Sequence, residues 1–259
     1  MLDFIRASRT IFTSQLYMSL RSIRFLLSFL LTMAPVTLAI LIAVFGDPDE
    51  TVPIPEFCWM LIAQAVTPLL ALMFGSAVIS EEVSDRTITY LFTRPIPRSA
   101  VFFGRWLANM AVVGGLLTFC VFAVVFVLRD SLEGASYFET SWALAETLIL
   151  GAATYSALFA GLGALIKHPI IVGLAYVFCF EFLLVNAPIP GSSQHLSLQF
   201  HLRSFIVNSG AEAWQEVAVF HNNAFIARGD AFAVHAVVLL ISLIGGSLLI
   251  SRRQFELTA

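Results

Sequence analysis

Apolar positions in this chain run on without alternation. Six stretches are free of Asp, Glu, Lys and Arg or hold one such group: 25–45, 57–80, 106–128, 147–166, 169–188 and 231–251. Each has about the 20 residues that a helix needs to cross a hydrocarbon core. Only helices and closed barrels satisfy their backbone groups in lipid, and barrel strands alternate apolar with polar positions. The pattern therefore predicts an all-α polytopic membrane protein, a single domain over residues 1–259 with six transmembrane helices. Pro35 and Pro68 lie inside the first two stretches, Glu181 inside the fifth and His235 inside the sixth.

Composition agrees: 59% of residues are hydrophobic and 12% charged, where a soluble domain is about a quarter charged. The net charge of −3 hides an asymmetry. With the N-terminus inside, 11 of the 14 Lys and Arg fall on inside segments: Arg6, Arg9, Arg21, Arg24, Arg86, Arg94, Arg98, Arg105, Lys167, Arg252 and Arg253. The loop 46–56 has acids only, as expected of an outside segment. Basic residues favour the inside, so both termini are expected in the cytoplasm. The first apolar run is too long for a cleaved leader and no small-residue cleavage site follows it. Cys58, Cys120 and Cys179 are far apart in apolar runs and read as small hydrophobes.

Three segments lie outside the stretches. In 1–23, Ile5, Phe12, Leu16, Leu20 and Ile23 recur at helical spacing, which predicts an amphipathic helix on the cytoplasmic lipid surface. Segment 81–105 opens on Glu81 and Glu82, carries Ile88, Tyr90, Leu91 and Phe92 among charges, and must be extended around Pro95 and Pro97. Ser99 is a candidate cap for the next helix. It reads either as a docking surface or as a solvated loop that enforces topology. Segment 189–230 is long for a connector. Its Leu and Phe predict amphipathic helices resting on the outer membrane surface or partly re-entering it. His195, His201 and His221 lack a spacing that puts two on one helical turn, so no metal site is expected.

Polar groups inside the spans are costly and must face the bundle, lose their charge or pair. Glu181, His235 and Asn109 are the candidates for an intramembrane polar path, with Gln64, Glu146 and Tyr155 as further interior groups. Glu181 and His235 are candidate partners. The same residues read equally as interhelical fasteners. Gly151, Gly161, Gly163, Gly245 and Gly246 are expected to mark close helix packing. No H-E-x-x-H, G-x-S-x-G or phosphate-loop motif is present, which argues against an intramembrane enzyme and against ATP binding in this chain.

The run ISEEVSDRTITYLFTRPIPRSAVFFGRWLAN, residues 79–109, resembles the signature of permease subunits of type 2 ATP-binding-cassette (ABC) transporters. Its acidic pair is Glu81 and Glu82. The pair at Arg86 and Thr87 departs from the family's usual Gly-Thr. Leu91, Thr93, Arg94, Pro95, Pro97, Arg98, Gly104 and Arg105 complete the match. Length and span number also resemble the short permeases of copper-processing and gliding-motility systems. The resemblance implies that 81–105 holds a coupling helix, with Glu81, Glu82, Asp85, Arg86, Thr87, Leu91, Arg94, Pro95 and Arg98 at the interface with a separate ABC ATP-binding subunit. That subunit would hold ATP and Mg; no cofactor is expected here. The implied function is ATP-driven export by a homodimer, or a heterodimer with a related permease. It would work in the lipid bilayer of the bacterial cytoplasmic (inner) membrane without nucleic acid. The alternative is a non-transporting subunit that transmits ATPase motion.

Overall fold

The computed structural model describes residues 2–46, 53–84, 97–132, 134–166, 168–186, 192–215, 217 and 225–252. Every regular element among them is helical. In chain order they are α1 (Leu2–Leu20), α2 (Ile23–Phe45), α3 (54–84), α4 (Arg98–Val127), α5 (Tyr137–Leu165), α6 (169–186), α7 (Leu198–Val207) and α8 (Arg228–Arg252). Helices α3 and α6 each contain a π-helical section, Trp59–Val66 and Tyr176–Phe182.

Among the described residues five helices are long and apolar enough to cross a membrane: Ile23–Phe45, Ile54–Ile79, Arg98–Val127, Tyr137–Leu165 and Arg228–Ser251. The fifth of the six expected spans, 169–188, is a shorter apolar helix among the described residues, Pro169–Phe182, continued by Leu183–Asn186. Pro169 starts it, as a proline at the first helical position does. Hydropathy also cuts helices short at polar turns. The apolar run begins at Thr147, but α5 begins at Tyr137. There Ser136 accepts the Glu139 amide at 3.5 Å, in a Ser-x-x-Glu capping sequence. Helix α4 likewise starts at Arg98 rather than at a Ser99 cap, with Pro97 just before it.

The core is built where backbones come close. Helices α3 and α5 cross at two glycines. A Cβ on Gly75 would sit 2.6 Å from the Ser156 carbonyl oxygen, and one on Gly163 would sit 2.6 Å from that of Ser76. Such contact through small residues is how helices associate where lipid removes the hydrophobic drive. Gly246 meets the Phe102 ring in the same way, whereas Gly245 and Gly161 border no such close contact. Pro68 falls just past the π section of α3. The Thr67 hydroxyl donates back to the Ile62 carbonyl at 2.8 Å, so a side chain helps carry the helix past a residue without an N–H.

Helices α2 and α8 turn rows of Leu, Ile, Val and Phe outward, among them Leu26, Leu30, Leu41, Leu240 and Ile244. A soluble protein would hide these rows; a lipid-facing helix displays them. Arg228 at the start of α8 pairs with Glu146 of α5, which accounts for the charge just before the fourth apolar stretch.

Candidate functional site

Two places gather the polar side chains. The first is the signature end of α4, residues 98–109. The backbones of Glu81 and Glu82 form the last turns of α3, and Arg98 opens α4. Asp85, Arg86, Thr87, Leu91, Arg94 and Pro95 lie outside the described residues. What is described is the exit arm of that segment. Arg98 Nη1 donates to the Ile250 carbonyl at 3.5 Å, near the C-terminus of α8 where carbonyls lack helical partners.

Gly104 is the contact point with α1. A Cβ there would lie 2.8 Å from the Ser8 carbonyl oxygen and 3.1 Å from the Ile11 side chain. The Ser8 hydroxyl donates to the Ala100 carbonyl at 3.4 Å. Arg105, buried, donates to the Val78 carbonyl of α3 at 3.4 Å. One turn on, Asn109 joins three helices. Its amide nitrogen donates to the Phe74 carbonyl at 2.9 Å, and its oxygen accepts from the Ser19 hydroxyl of α1 at 3.1 Å. Four residues on one side of α4 thus reach α8, α1 and α3.

The second place surrounds α7. Every residue from Leu198 to Ile206 is buried, including Gln199, His201, Arg203 and Ser204. The sequence allowed this segment to rest on the membrane or to re-enter it; the helix sits inside the bundle. Its N-cap is Ser197, whose hydroxyl oxygen accepts the Gln199 amide at 3.1 Å. Beyond that cap lies Glu181 in the π section of α6, fully buried. One carboxylate oxygen accepts from the Tyr176 hydroxyl at 2.5 Å and the Leu198 amide at 3.1 Å. The other accepts from the Ser197 hydroxyl at 2.5 Å and the Gln199 amide at 3.2 Å. Four donors therefore converge on one carboxylate at the positive end of a helix dipole.

The expected Glu181–His235 partnership does not form. His235 Nδ1 lies 3.0 Å from the Thr154 hydroxyl, which itself donates to the Leu150 carbonyl at 2.9 Å. Helix α7 reaches its other neighbours in turn. The Gln199 side-chain amide nitrogen donates to the Ala63 carbonyl at 3.0 Å, in the π section of α3. The Arg203 guanidinium lies over the Trp59 ring, 6.0 Å from its centre. Leu202 fills the space opened by Gly151 of α5. The His201 ring, held by the His195 carbonyl at 2.9 Å, faces His235 of α8 edge-on at 6.5 Å between centres. Burial lowers the His201 imidazole from its usual value and brings the Arg203 guanidinium down to about 10, so Arg203 keeps its charge near neutrality. Trp214, after α7, donates to the Thr140 carbonyl of α5 at 3.1 Å.

Sequence reasoning named Glu181, His235, Asn109 and Tyr155 as interior groups but missed Ser197, Tyr176 and Gln199. The available signal was Glu181 itself, since a carboxylate within an apolar stretch requires donors. Among the described residues no group of three or more His, Cys, Asp or Glu is arranged to hold a metal. Residues 9–206 match a family model described as ABC-2 family transporter protein. A search of curated proteins gives no match.

Proposed function

The chain belongs to the ABC-2 transporter family, and from that premise we propose that its motion is driven by a separate ATPase subunit seated on residues 81–105. In this reading ATP and Mg are bound in the partner, two permease copies act together, and substrate leaves the cell. Both termini face the cytoplasm of a bacterial inner membrane.

One observation carries the reading. The exit arm of 81–105 is tied to three other helices within twelve residues: to α8 through Arg98, to α1 through Gly104, and to α3 through Arg105 and Asn109. A displacement of the loop therefore cannot stay in the loop. It moves the cytoplasmic ends of α1, α3, α4 and α8 together. Helix α7 is the matching element at the other end of the relay. It touches α3, α5, α6 and α8, so tilting of those spans must carry it or release it. Asn109 and Glu181 act in this scheme as fasteners, not as the substrate's lining.

The test has two arms. Leu91→Asp places a charge on the apolar docking turn and should abolish co-purification of the ATPase subunit while membrane insertion persists. Glu81→Gln with Glu82→Gln should keep the complex and its ATP hydrolysis but uncouple that hydrolysis from transport. Transport at the unmodified rate in the double variant would remove the coupling role of the acidic pair. Undiminished co-purification with Leu91→Asp would remove the docking role of the loop.

A further inference from the structure

Helix α1 is covered on one side only. Ser8, Ile11 and Ser19 face α4, and Leu16 packs on the main hydrophobic cluster. Of the apolar stripe expected to lie on lipid, Leu16 is thus spent on protein, whereas Leu20 and Ile23 stay exposed. The opposite side shows Arg6, Thr10, Thr13 and Tyr17, spaced by three and four residues, flanked by Arg9 and Arg21, all exposed. Among the described residues no carboxylate pairs with Arg6, Arg9 or Arg21. Arg21 instead stacks over the Tyr17 ring, 4.1 Å from its centre. The Thr10 and Thr13 hydroxyls turn back to the helix's own carbonyls of Arg6 and Arg9, at 3.0 and 3.2 Å. At the end of the same helix Met18 and Leu20 are about half exposed, and Ile23 follows in α2.

This face has the ingredients of a headgroup-level surface: unpaired guanidinium groups, a tyrosine, and apolar side chains where the chain turns into its first span. Tyrosines favour the membrane–water boundary, and arginine forks match phosphate oxygens. We propose that the uncovered face of α1 binds the phosphates of anionic phospholipids, with Arg6, Arg9 and Arg21 as the contacts. That the leaflet is the cytoplasmic one rests on the orientation given under the proposed function. A bound anionic surface would press α1 onto Gly104 and so brace the joint through which the loop acts.

The test uses the full chain in a neutral detergent, titrated with short-chain phosphatidylglycerol and, in parallel, phosphatidylcholine, with bound lipid counted by native mass spectrometry. Phosphatidylglycerol should bind selectively. The triple variant Arg6→Gln, Arg9→Gln, Arg21→Gln should lose about a hundredfold in affinity, at about fivefold for each charge. The matching lysine triple should stay within about threefold of the unmodified chain. Unchanged helicity by circular dichroism shows that the variants fold. Equal affinity for the two lipids, or undiminished phosphatidylglycerol binding by the glutamine triple, overturns the proposal. So does a glutamine triple that keeps its lipid but loses the ATPase subunit, which would assign this face to an acidic protein surface. Orientation is read separately, by labelling Thr10→Cys with an impermeant maleimide in inverted vesicles. Failure there removes the cytoplasmic assignment and leaves the lipid titration standing.

Discussion

The two polar regions of this protein are fastened by different means. At the signature end of α4, the described fastenings are hydrogen bonds to carbonyls and hydroxyls of neighbouring helices and the missing side chain of Gly104. Around α7, one carboxylate gathers four donors from two helices and a cap. A joint of the first kind yields one bond at a time. One of the second kind comes apart only by leaving several buried donors unmet at once. The comparison teaches where motion is cheap: in the joint beside the loop, and not at the seat of α7, unless something replaces the Glu181 acceptor.

The largest effect is expected at that seat. Glu181→Ala leaves three donors without an acceptor inside the bundle, and the Gln199 amide with only the Ser197 hydroxyl, about 3 kcal/mol or more at about 1 kcal/mol for each stranded donor. It should appear as a large fall in thermal midpoint in detergent. Glu181→Gln should recover only part of the loss, because its NH2 group meets donors. A midpoint unchanged by both variants would show that the cap does not hold α7.

Next comes Gly104→Val, which forces α1 off α4 and should cost about 1–3 kcal/mol. Cysteines placed at Ser8 and Ala100 should then cross-link more slowly. An unchanged cross-linking rate would break the claim that Gly104 sets this crossing. Asn109→Ala follows, at about 1–2 kcal/mol for two interhelical bonds, read as the same midpoint shift. The smallest effect belongs to Glu146→Gln. Its pair with Arg228 is about one third exposed on each side (35% and 34%), so the loss should stay below about 1 kcal/mol and shrink further with salt. A loss as large as that of Asn109→Ala would blur the distinction between buried and rim fasteners.

Spans were legible because lipid demands uninterrupted apolar length, and Gly104 and Arg105 were legible because the resemblance marks them. Their reason was not: it is the Ser8 backbone, which comes within reach only once α1 has folded across α4. Glu181 was visible as a misplaced acid, yet its partner was sought among side chains. Two of its four donors are the amides of Leu198 and Gln199, and a backbone N–H has no letter in a sequence. The burial of α7 was hidden for a related reason. Its polar residues, Gln199, His201, Arg203 and Ser204, pointed to water, but the Ala63 carbonyl and Trp59 ring of α3 meet Gln199 and Arg203, the His195 carbonyl meets His201, and the Phe200 carbonyl of α7 itself receives Ser204.

The paired glycine crossing of α3 and α5 has a mechanical side. With Gly75 against Ser156 and Gly163 against Ser76, no side chain stands between the two backbones to deform or change rotamer. The two helices have no slack and swing as one beam. Under the proposed docking of an ATPase on 81–105, force entering at the end of α3 would arrive along α5 as rotation about a fixed fulcrum, with the compliance left to the helices around that beam.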